Sequence, residues 1–322
     1  MRLIIIVNNT AARARRALPV VAGALAGARV AFDVREPGRR EETEGCARAA
    51  LLEGYDTVAV VGGDGTLSAA ASGFFQSLDG TGLDEPPPPV NPSAALAVLP
   101  AGTGDDFARG LTAGRREQLD AWAARLVRHA RGETEAREVD LILGSASGGA
   151  RRFICLNAVT LGIGAEVAAR VAAQGRALRR LPGEARFGLA AAAALAAWRE
   201  RRARLSVDGR EWRECVTNIM AVVNGTHAGG GMNFSPEARP DDGLLDVLTA
   251  CGLTFPQLLR ELPRIYTGGH LRNPKVSVER AERVLIETED ESDALGIEAD
   301  GDVRGTTPAE FRVMPKALRV VW

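Results

Sequence analysis

Asp64 sits within Gly62-Gly63-Asp64-Gly65-Thr66-Leu67-Ser68, directly after the apolar run Val58–Val61. Glycines in such a turn let a backbone approach a phosphate, and a helix opening there adds free N–H groups and the positive end of its dipole. A carboxylate repels phosphate, so Asp64 suits a metal ion that bridges to it. The alternative is an aspartate capping the next helix. The pattern recurs where Leu96–Leu99 runs into Pro100-Ala101-Gly102-Thr103-Gly104-Asp105-Asp106-Phe107-Ala108-Arg109. Thr103 offers a hydroxyl to a phosphate, and Asp105 or Asp106 can cap the following helix. Further on come Gly229-Gly230-Gly231-Met232 and Arg239-Pro240-Asp241-Asp242-Gly243-Leu244, which suit close backbone approach and a turn. Glu298-Ala299-Asp300-Gly301-Asp302 reads by itself as a hairpin turn carrying three carboxylates. The three histidines have no metal-ligand spacing, and there is no GxSxG nucleophile elbow.

The elements that must hold these loops alternate in the first part of the chain. Strands are expected at Leu3–Val7, Arg29–Val34, Thr57–Val61 and Ala94–Leu99. Helices are expected at Ala11–Ala26, Thr43–Gly54, Thr66–Gln76 and from Asp105. Apolar strands separated by helices imply a parallel sheet covered on both faces, and ligands bind at the carboxyl ends of such strands. After about residue 140 short strands joined by Gly, Asp and Asn turns predominate, with helices at Glu184–Arg204 and Pro256–Tyr266. The expected fold is therefore α/β plus β: a doubly wound α/β nucleotide-binding domain, then an antiparallel β-sandwich. The expected division is residues 1–141, with a returning segment at about 314–322, and residues 142–313. The last apolar strand, Ala317–Trp322, fits either domain.

Composition removes several functions. A formal net charge of -1 gives no global basic field for nucleic acid. Lys275 and Lys316 are the only lysines, and neither adjoins a Gly-rich loop, which excludes a Walker A motif. Cys46, Cys155, Cys215 and Cys251 form no CxxC pair, so zinc or redox chemistry is not expected. The start of the chain has no signal-peptide pattern, and the Ala-rich run Gly188–Trp198 is too short to span a bilayer. A cytoplasmic protein that touches a membrane from one side is expected. The candidate contact is Glu184–Arg204, with Phe187, Leu189, Leu195 and Trp198 beside Arg199, Arg201, Arg202 and Arg204, and with Arg176, Arg179 and Arg180 just before. The alternative is a core helix with a solvated arginine end.

Taken in order, Val60–Leu67, Leu99–Leu111, Glu138–Leu141, Gly229–Val247 and Glu298–Asp302 resemble the diacylglycerol kinase catalytic family, with its bacterial lipid kinases and the related sphingosine and ceramide kinases. The resemblance implies an ATP- and Mg²⁺-dependent phosphotransferase acting on a lipid at a membrane surface, with diacylglycerol as the first-choice acceptor. It implies a cleft between the two domains. It puts Asn8, Asn9, Thr10, Ala11, Ala12, Gly62, Gly63, Asp64, Gly65, Thr66, Leu67, Ser68, Gly102 and Thr103 at ATP. It puts Asp64, Asp106 and Asp140 in a metal–water network, and Asp242 with the carbonyls of Arg239 and Leu244 at a structural Mg²⁺. Asp300 becomes the general base, and Asp302 replaces a usual glutamate. A homodimer is left open.

Three departures stand out: Asn8-Asn9-Thr10-Ala11-Ala12 replaces a loop with Asn-Pro and Ser-Gly, Asp105 replaces Asn, and Ser68-Ala69 replaces Asn-Glu. The competing readings are an NAD kinase-like enzyme, a kinase for a soluble alcohol, and a catalytically silent nucleotide-binding regulator.

Overall fold

The structure is a computed structural model. It describes every residue except 10, 40, 77, 79–82, 148–150, 176–177 and 179–182, and the backbone alone at 151, 183, 184 and 187. The first half runs β1 (Leu3–Val7), α1 (Ala12–Gly27), β2 (Asp33–Arg35), α2 (Glu42–Leu52), β3 (Thr57–Gly62), α3 (Asp64–Ser72), β4 (Ala95–Pro100), α4 (Asp106–Leu111), α5 (Leu119–Ala130) and β5 (Arg137–Ala146). The second half runs β6 (Arg151–Cys155), β7 (Ala158–Gly162), α6 (Ile163–Ala172), α7 (Gly183–Ala197), β8 (Arg201–Val207), β9 (Arg213–Val223), β10 (His227–Ala228), β11 (Met232–Asn233), β12 (Leu245–Cys251), α8 (Phe255–Ile265), β13 (Val276–Ala281), β14 (Arg283–Glu287), β15 (Gly296–Ala299), β16 (Asp302–Thr306) and β17 (Ala309–Val321).

Strands β2, β1, β3 and β4 pair in parallel in that order; β1, β3 and β4 are buried runs, as central parallel strands require, whereas β2 is a short polar edge strand, Asp33–Arg35, in place of the strand expected at Arg29–Val34. The next neighbour of β4 is the end of the chain. β17 pairs in parallel with β4 through Arg319–Val321, whereas its first half pairs antiparallel with β14. The last strand, expected at Ala317–Trp322, is therefore the end of a longer one that serves both halves and is kinked at Lys316, whose φ is 50°. β5 follows β17 along both halves, with a register shift between Met314 and Leu318. One continuous sheet thus carries the parallel first half into a mostly antiparallel second half, in agreement with the fold class expected.

Each half has its own core. One gathers β1, β3 and β4 with α1, α3 and α5 and takes in Leu318 and Val320 from β17. The other gathers Phe311 of β17 with residues of β7, β9, β12 and β14. Cys215 of β9 and Cys251 of β12 are joined in a disulfide, 36 residues apart in sequence. The pair crosses two neighbouring strands, which the absence of CxxC spacing could not reveal.

The arginine-ended helix expected at Glu184–Arg204 stops at Ala197, and Arg201–Val207 is strand β8. Ala190, Ala194 and Leu195 pack on Ile163 and Val167 of α6, whereas Leu189 is exposed. Arg199 and Arg204 pair with Asp293 and Glu287. Arg176, Arg179 and Arg180 lie outside the described residues, as does the side chain of Phe187. Among the described residues, no helix is long and apolar enough to cross a membrane.

Candidate active site

The two Gly-rich loops leave neighbouring parallel strands, β3 and β4, at their carboxyl ends, and they touch. A Cβ on Gly102 would stand 2.6 Å from the Cα of Gly63, so neither position has room for a side chain. Asp64 opens α3, and its Oδ1 accepts the N–H of Phe107 (3.1 Å) in the first turn of α4. Asp106 opens α4, and its Oδ2 accepts the N–H of Gly230 (2.6 Å). Gly229, Gly230 and Gly231 all have positive φ, and a Cβ on Gly231 would lie 2.5 Å from Arg109 Nη1. The glycine loop thus packs on the start of α4, through the Gly230 N–H on Asp106 and Gly231 beside Arg109.

Both carboxylates converge on Gly104, where a Cβ would stand 3.1 Å from Asp106 Oδ2 and 3.2 Å from Asp64 Oδ2. Burial, then the charge of Asp106, push Asp64 up to about 7. Burial also raises Asp106, whose Oδ1 is buried without a hydrogen-bond partner. Two desolvated carboxylates and an orphaned oxygen fit a divalent cation completed by water or phosphate. Among the described residues, no three acidic, His or Cys side chains group as a self-sufficient metal site, so the pair would need outside ligands.

Asp140 keeps different company. Its Oδ1 accepts the N–H of Lys316 (2.7 Å) and its Oδ2 that of Gly243 (2.7 Å). It ties β5 to the kink of β17 and to the 240–243 turn, and it is absent from the cavity that holds Asp64 and Asp106. The six metal candidates therefore fall into two groups. In the second, Asp242 Oδ1 accepts the Leu244 N–H (3.2 Å), and its Oδ2 lies 3.8 Å from Arg280. Arg239 lies 3.4 Å from Asp241. With an arginine already opposite Asp242, this group fits a cation less well than the first.

Asp300 forms the turn between β15 and β16, at φ 48°. Its Oδ2 accepts Ser68 Oγ (2.6 Å) and Leu156 N (2.7 Å), and its Oδ1 accepts Asn157 N and Ala158 N (3.1 Å each). The hydroxyl of Ser68 is thus turned to Asp300, away from the nucleotide contact expected of it. Leu67 is buried in the first core, and Asn9 bonds Glu36. Asn8 is buried beside the turn that opens α1, where its carbonyl accepts the Ala11 N–H, and Thr10 lies outside the described residues. Thr103 is exposed at the loop tip, available to a phosphate.

An apolar cavity of about 700 Å³ reaches this cluster. Asp64, Asp106, Glu298, Asp300 and Asp302 stand on its wall, and so do Val167, Leu195, Phe234, Leu258 and Val276 from the second half. A second cavity of about 420 Å³ includes Gly102 and is lined by Arg13, Arg16, Arg109, Arg115 and Arg116 against Asp105 and Glu117. Arg13 Nη1 donates to the Gly102 carbonyl (2.7 Å), and Arg116 donates to that of Thr103.

Glu298 is the residue that motif reading left without a role. It accepts Thr160 Oγ1 (2.6 Å) and the Gly301 N–H, and burial raises it to about 7. Its place on the strand that leads into the Asp300 turn was a usable signal. A carboxyl raised on folding binds its proton more tightly in the native chain. Its contribution is whole below the ordinary carboxylate range and is lost as pH rises through about 7. The expected outcome is that melting temperature falls between pH 5 and pH 8, and that Glu298→Gln flattens the fall. An unchanged slope in the variant would show that Glu298 titrates normally.

Two family models together match nearly the whole chain. The diacylglycerol kinase catalytic domain matches residues 2–141, and the YegS C-terminal NAD kinase beta sandwich-like domain matches residues 157–322. The chain is 32% identical over 273 residues to a diacylglycerol kinase of Mycobacterium tuberculosis, covering 85% of this chain and 79% of that one. The chain belongs to the bacterial diacylglycerol kinase and YegS-like lipid kinase family. It is also 32% identical over 280 residues to a probable YegS-like lipid kinase of Pseudomonas aeruginosa, covering 84% and 78%. A crystal structure of a putative diacylglycerol kinase from Bacillus anthracis shares the fold, with a TM-score of 0.73 at 18% identity, covering 100% of this chain and 95% of that one. As a member of this family, the protein is a lipid kinase, a phosphotransferase that uses ATP.

Proposed function

We propose that the protein phosphorylates the free hydroxyl of diacylglycerol, with Mg²⁺ held at Asp64 and Asp106. The observation that carries this reading is the apolar cavity ending on a cluster of carboxylates. Its volume is in the range of small-molecule sites, and its walls suit acyl chains, whereas a soluble alcohol would leave them wet. The arginine-lined cavity beside Gly102 suits the polyphosphate of ATP. We assign residues 1–141 and 314–322 to the nucleotide side and residues 142–313 to the acceptor side.

Phosphoryl transfer rests on positioning and on neutralising charge. When bound, Mg²⁺ would supply charge neutralisation at the phosphates, and Asp64 and Asp106 are the residues to hold it. The loop at Gly63 and the start of α3 present N–H groups to the triphosphate, whereas the Gly102 N–H is held by Asp105 Oδ1 (2.7 Å). Asp300 is the proton acceptor in this reading. The Ser68 hydroxyl already donates to Asp300 Oδ2, which is the bond an acceptor alcohol would make on entering. Asp302, on the same wall, orients the acceptor. The sites at Asp140 and at Arg239, Asp242 and Leu244 serve as structural ties, and any Mg²⁺ at Asp242 would be structural too.

Filling the cavity tests the acceptor. Ala168 lies on its wall, so Ala168→Trp should displace part of an acyl chain. Losing three methylenes at about 0.8 kcal/mol each is about 2.4 kcal/mol, or roughly fiftyfold in kcat/KM. The expected outcome is that loss for long-chain diacylglycerol and a much smaller one for a short-chain analogue. Equal losses on both would mean that the cavity does not hold the acyl chains.

A further inference from the structure

Helix α8 carries apolar side chains on two faces. Leu258 and Ile265 turn inward onto the cavity. Phe255, Leu259, Leu262 and Tyr266 recur at intervals of four, three and four, which places them in one stripe. That stripe faces outward: the four residues are 50%, 47%, 38% and 50% exposed. Thr254 and Gln257 close a capping box at its start, so the helix is firmly begun and the exposure is not fraying. Leu271, in the short 3₁₀ turn Gly269–Arg272 that follows, adds another exposed apolar group. Scattered surface leucines need no explanation, but a contiguous stripe of large ones does.

Two observations say what covers it. The first is continuity with the cavity: Leu262 belongs both to the stripe and to the cavity wall, so the stripe borders the way in. The second is charge. Between Gly252 and Val278 the chain has Arg260, Arg264, Arg272 and Lys275. Its one acid there, Glu261, is buried and lies 3.2 Å from Arg264. An apolar stripe with a basic flank matches an anionic lipid surface. A second copy fits less well, since it would bring like charges together and press on the cavity at Leu262.

We propose that the Phe255–Tyr266 stripe of α8, with Arg260 and Arg272, docks the protein on an anionic bilayer and holds the cavity entrance against it. The proposal rests on the reading of the cavity as an acyl-chain site. A lipid hydroxyl could then reach Asp300 while its chains pass from the bilayer past Leu262 into the protein. Phe255 and Leu259 take no part in the cavity wall, so changing them tests docking apart from catalysis.

The test is sedimentation with vesicles of phosphatidylglycerol and phosphatidylcholine, or of phosphatidylcholine alone. The native protein should bind the anionic vesicles more tightly. Phe255→Ser with Leu259→Ser should weaken that binding about tenfold or more, and Arg260→Glu with Arg272→Glu should remove the preference for anionic lipid. Turnover of diacylglycerol in the same vesicles should fall in step, whereas turnover of a monomeric short-chain acceptor should stay unchanged. Undiminished vesicle binding by the Phe255/Leu259 variant overturns the proposal, and so does a native protein indifferent to anionic lipid. A variant that changes from dimer to monomer while still binding vesicles would assign the stripe to a self-interface instead. If the monomeric acceptor is phosphorylated but vesicles are ignored, docking fails and the kinase reading stands. Vesicle binding with no lipid phosphorylated would leave docking in place and overturn the acyl-chain reading of the cavity.

Discussion

Asp64→Asn is expected to lower turnover on the order of 10³-fold, the scale seen when one electrostatic contact at a developing charge is removed. Asparagine keeps the acceptor that Phe107 N–H uses, so α4 should stay in place. What disappears is a charge that burial and Asp106 already disfavour in the protein without ligands. Losing that repulsion should leave the melting temperature unchanged or higher. The stabilisation by Mg²⁺ and ATP should shrink at the same time. Loss of rate, unharmed folding and weaker metal response together identify a cation ligand. Near-normal turnover at saturating Mg²⁺ would return Asp64 to the role of a helix-opening residue.

The second large effect concerns Asp300, where loss of a general base costs about 10²–10⁴-fold in rate. From the motif alone, Asp300→Asn should spare thermal stability. The structure alters that expectation. Three backbone N–H groups and the Ser68 hydroxyl point at the two oxygens of Asp300. Asparagine has one acceptor oxygen, and its NH₂ would face donors. An unpaired buried donor costs about 1–3 kcal/mol, so the variant should melt lower as well as turn over slowly. A fall in activity alone therefore cannot separate a base from a clamp. Ser68→Ala can, because it frees Oδ2 while leaving the carboxylate and its backbone donors. If Asp300 takes the proton, Ser68→Ala should keep turnover within a few-fold, and Asp302→Asn should be milder than Asp300→Asn. If Asp300→Asn retains more than about a tenth of native turnover, the base lies elsewhere, and Glu298 on the same wall is the next group to test.

The centre of the parallel half was legible because β1, β3 and β4 are buried on both faces and read as apolar runs, whereas the edge strand β2, polar and exposed, falls at Asp33–Arg35 instead of Arg29–Val34. The loops at Gly63 and Gly102 were legible because close backbone contact demands glycine. Spacing could not show which carboxylates meet. Asp140 was grouped with Asp64 and Asp106 by motif, but its two oxygens are held by Lys316 and Gly243, residues 176 and 103 positions away. Ser68 misled for a similar reason: its partner Asp300 is 232 residues distant. The arginines near α7 suggest a membrane-facing helix there, although Ala190, Ala194 and Leu195 are spent on α6 and Leu189 alone of its described large apolar residues is exposed. In α8 the stripe is present in sequence, but four apolar residues on one helical face read equally as core. Only the exposure of Phe255 and Tyr266 shows that nothing of the described protein covers them.

The lipid-kinase assignment stands most directly on where the terminal phosphate of ATP goes. The deciding measurement is incubation with γ-labelled ATP and Mg²⁺ against diacylglycerol, monoacylglycerol, a sphingoid base and a polyprenol in mixed micelles, with glycerol and NAD as soluble acceptors. That assignment calls for label in the lipid phase, most of it on diacylglycerol, and for its loss in Asp64→Asn. Label on NAD or glycerol with none on any lipid would contradict it.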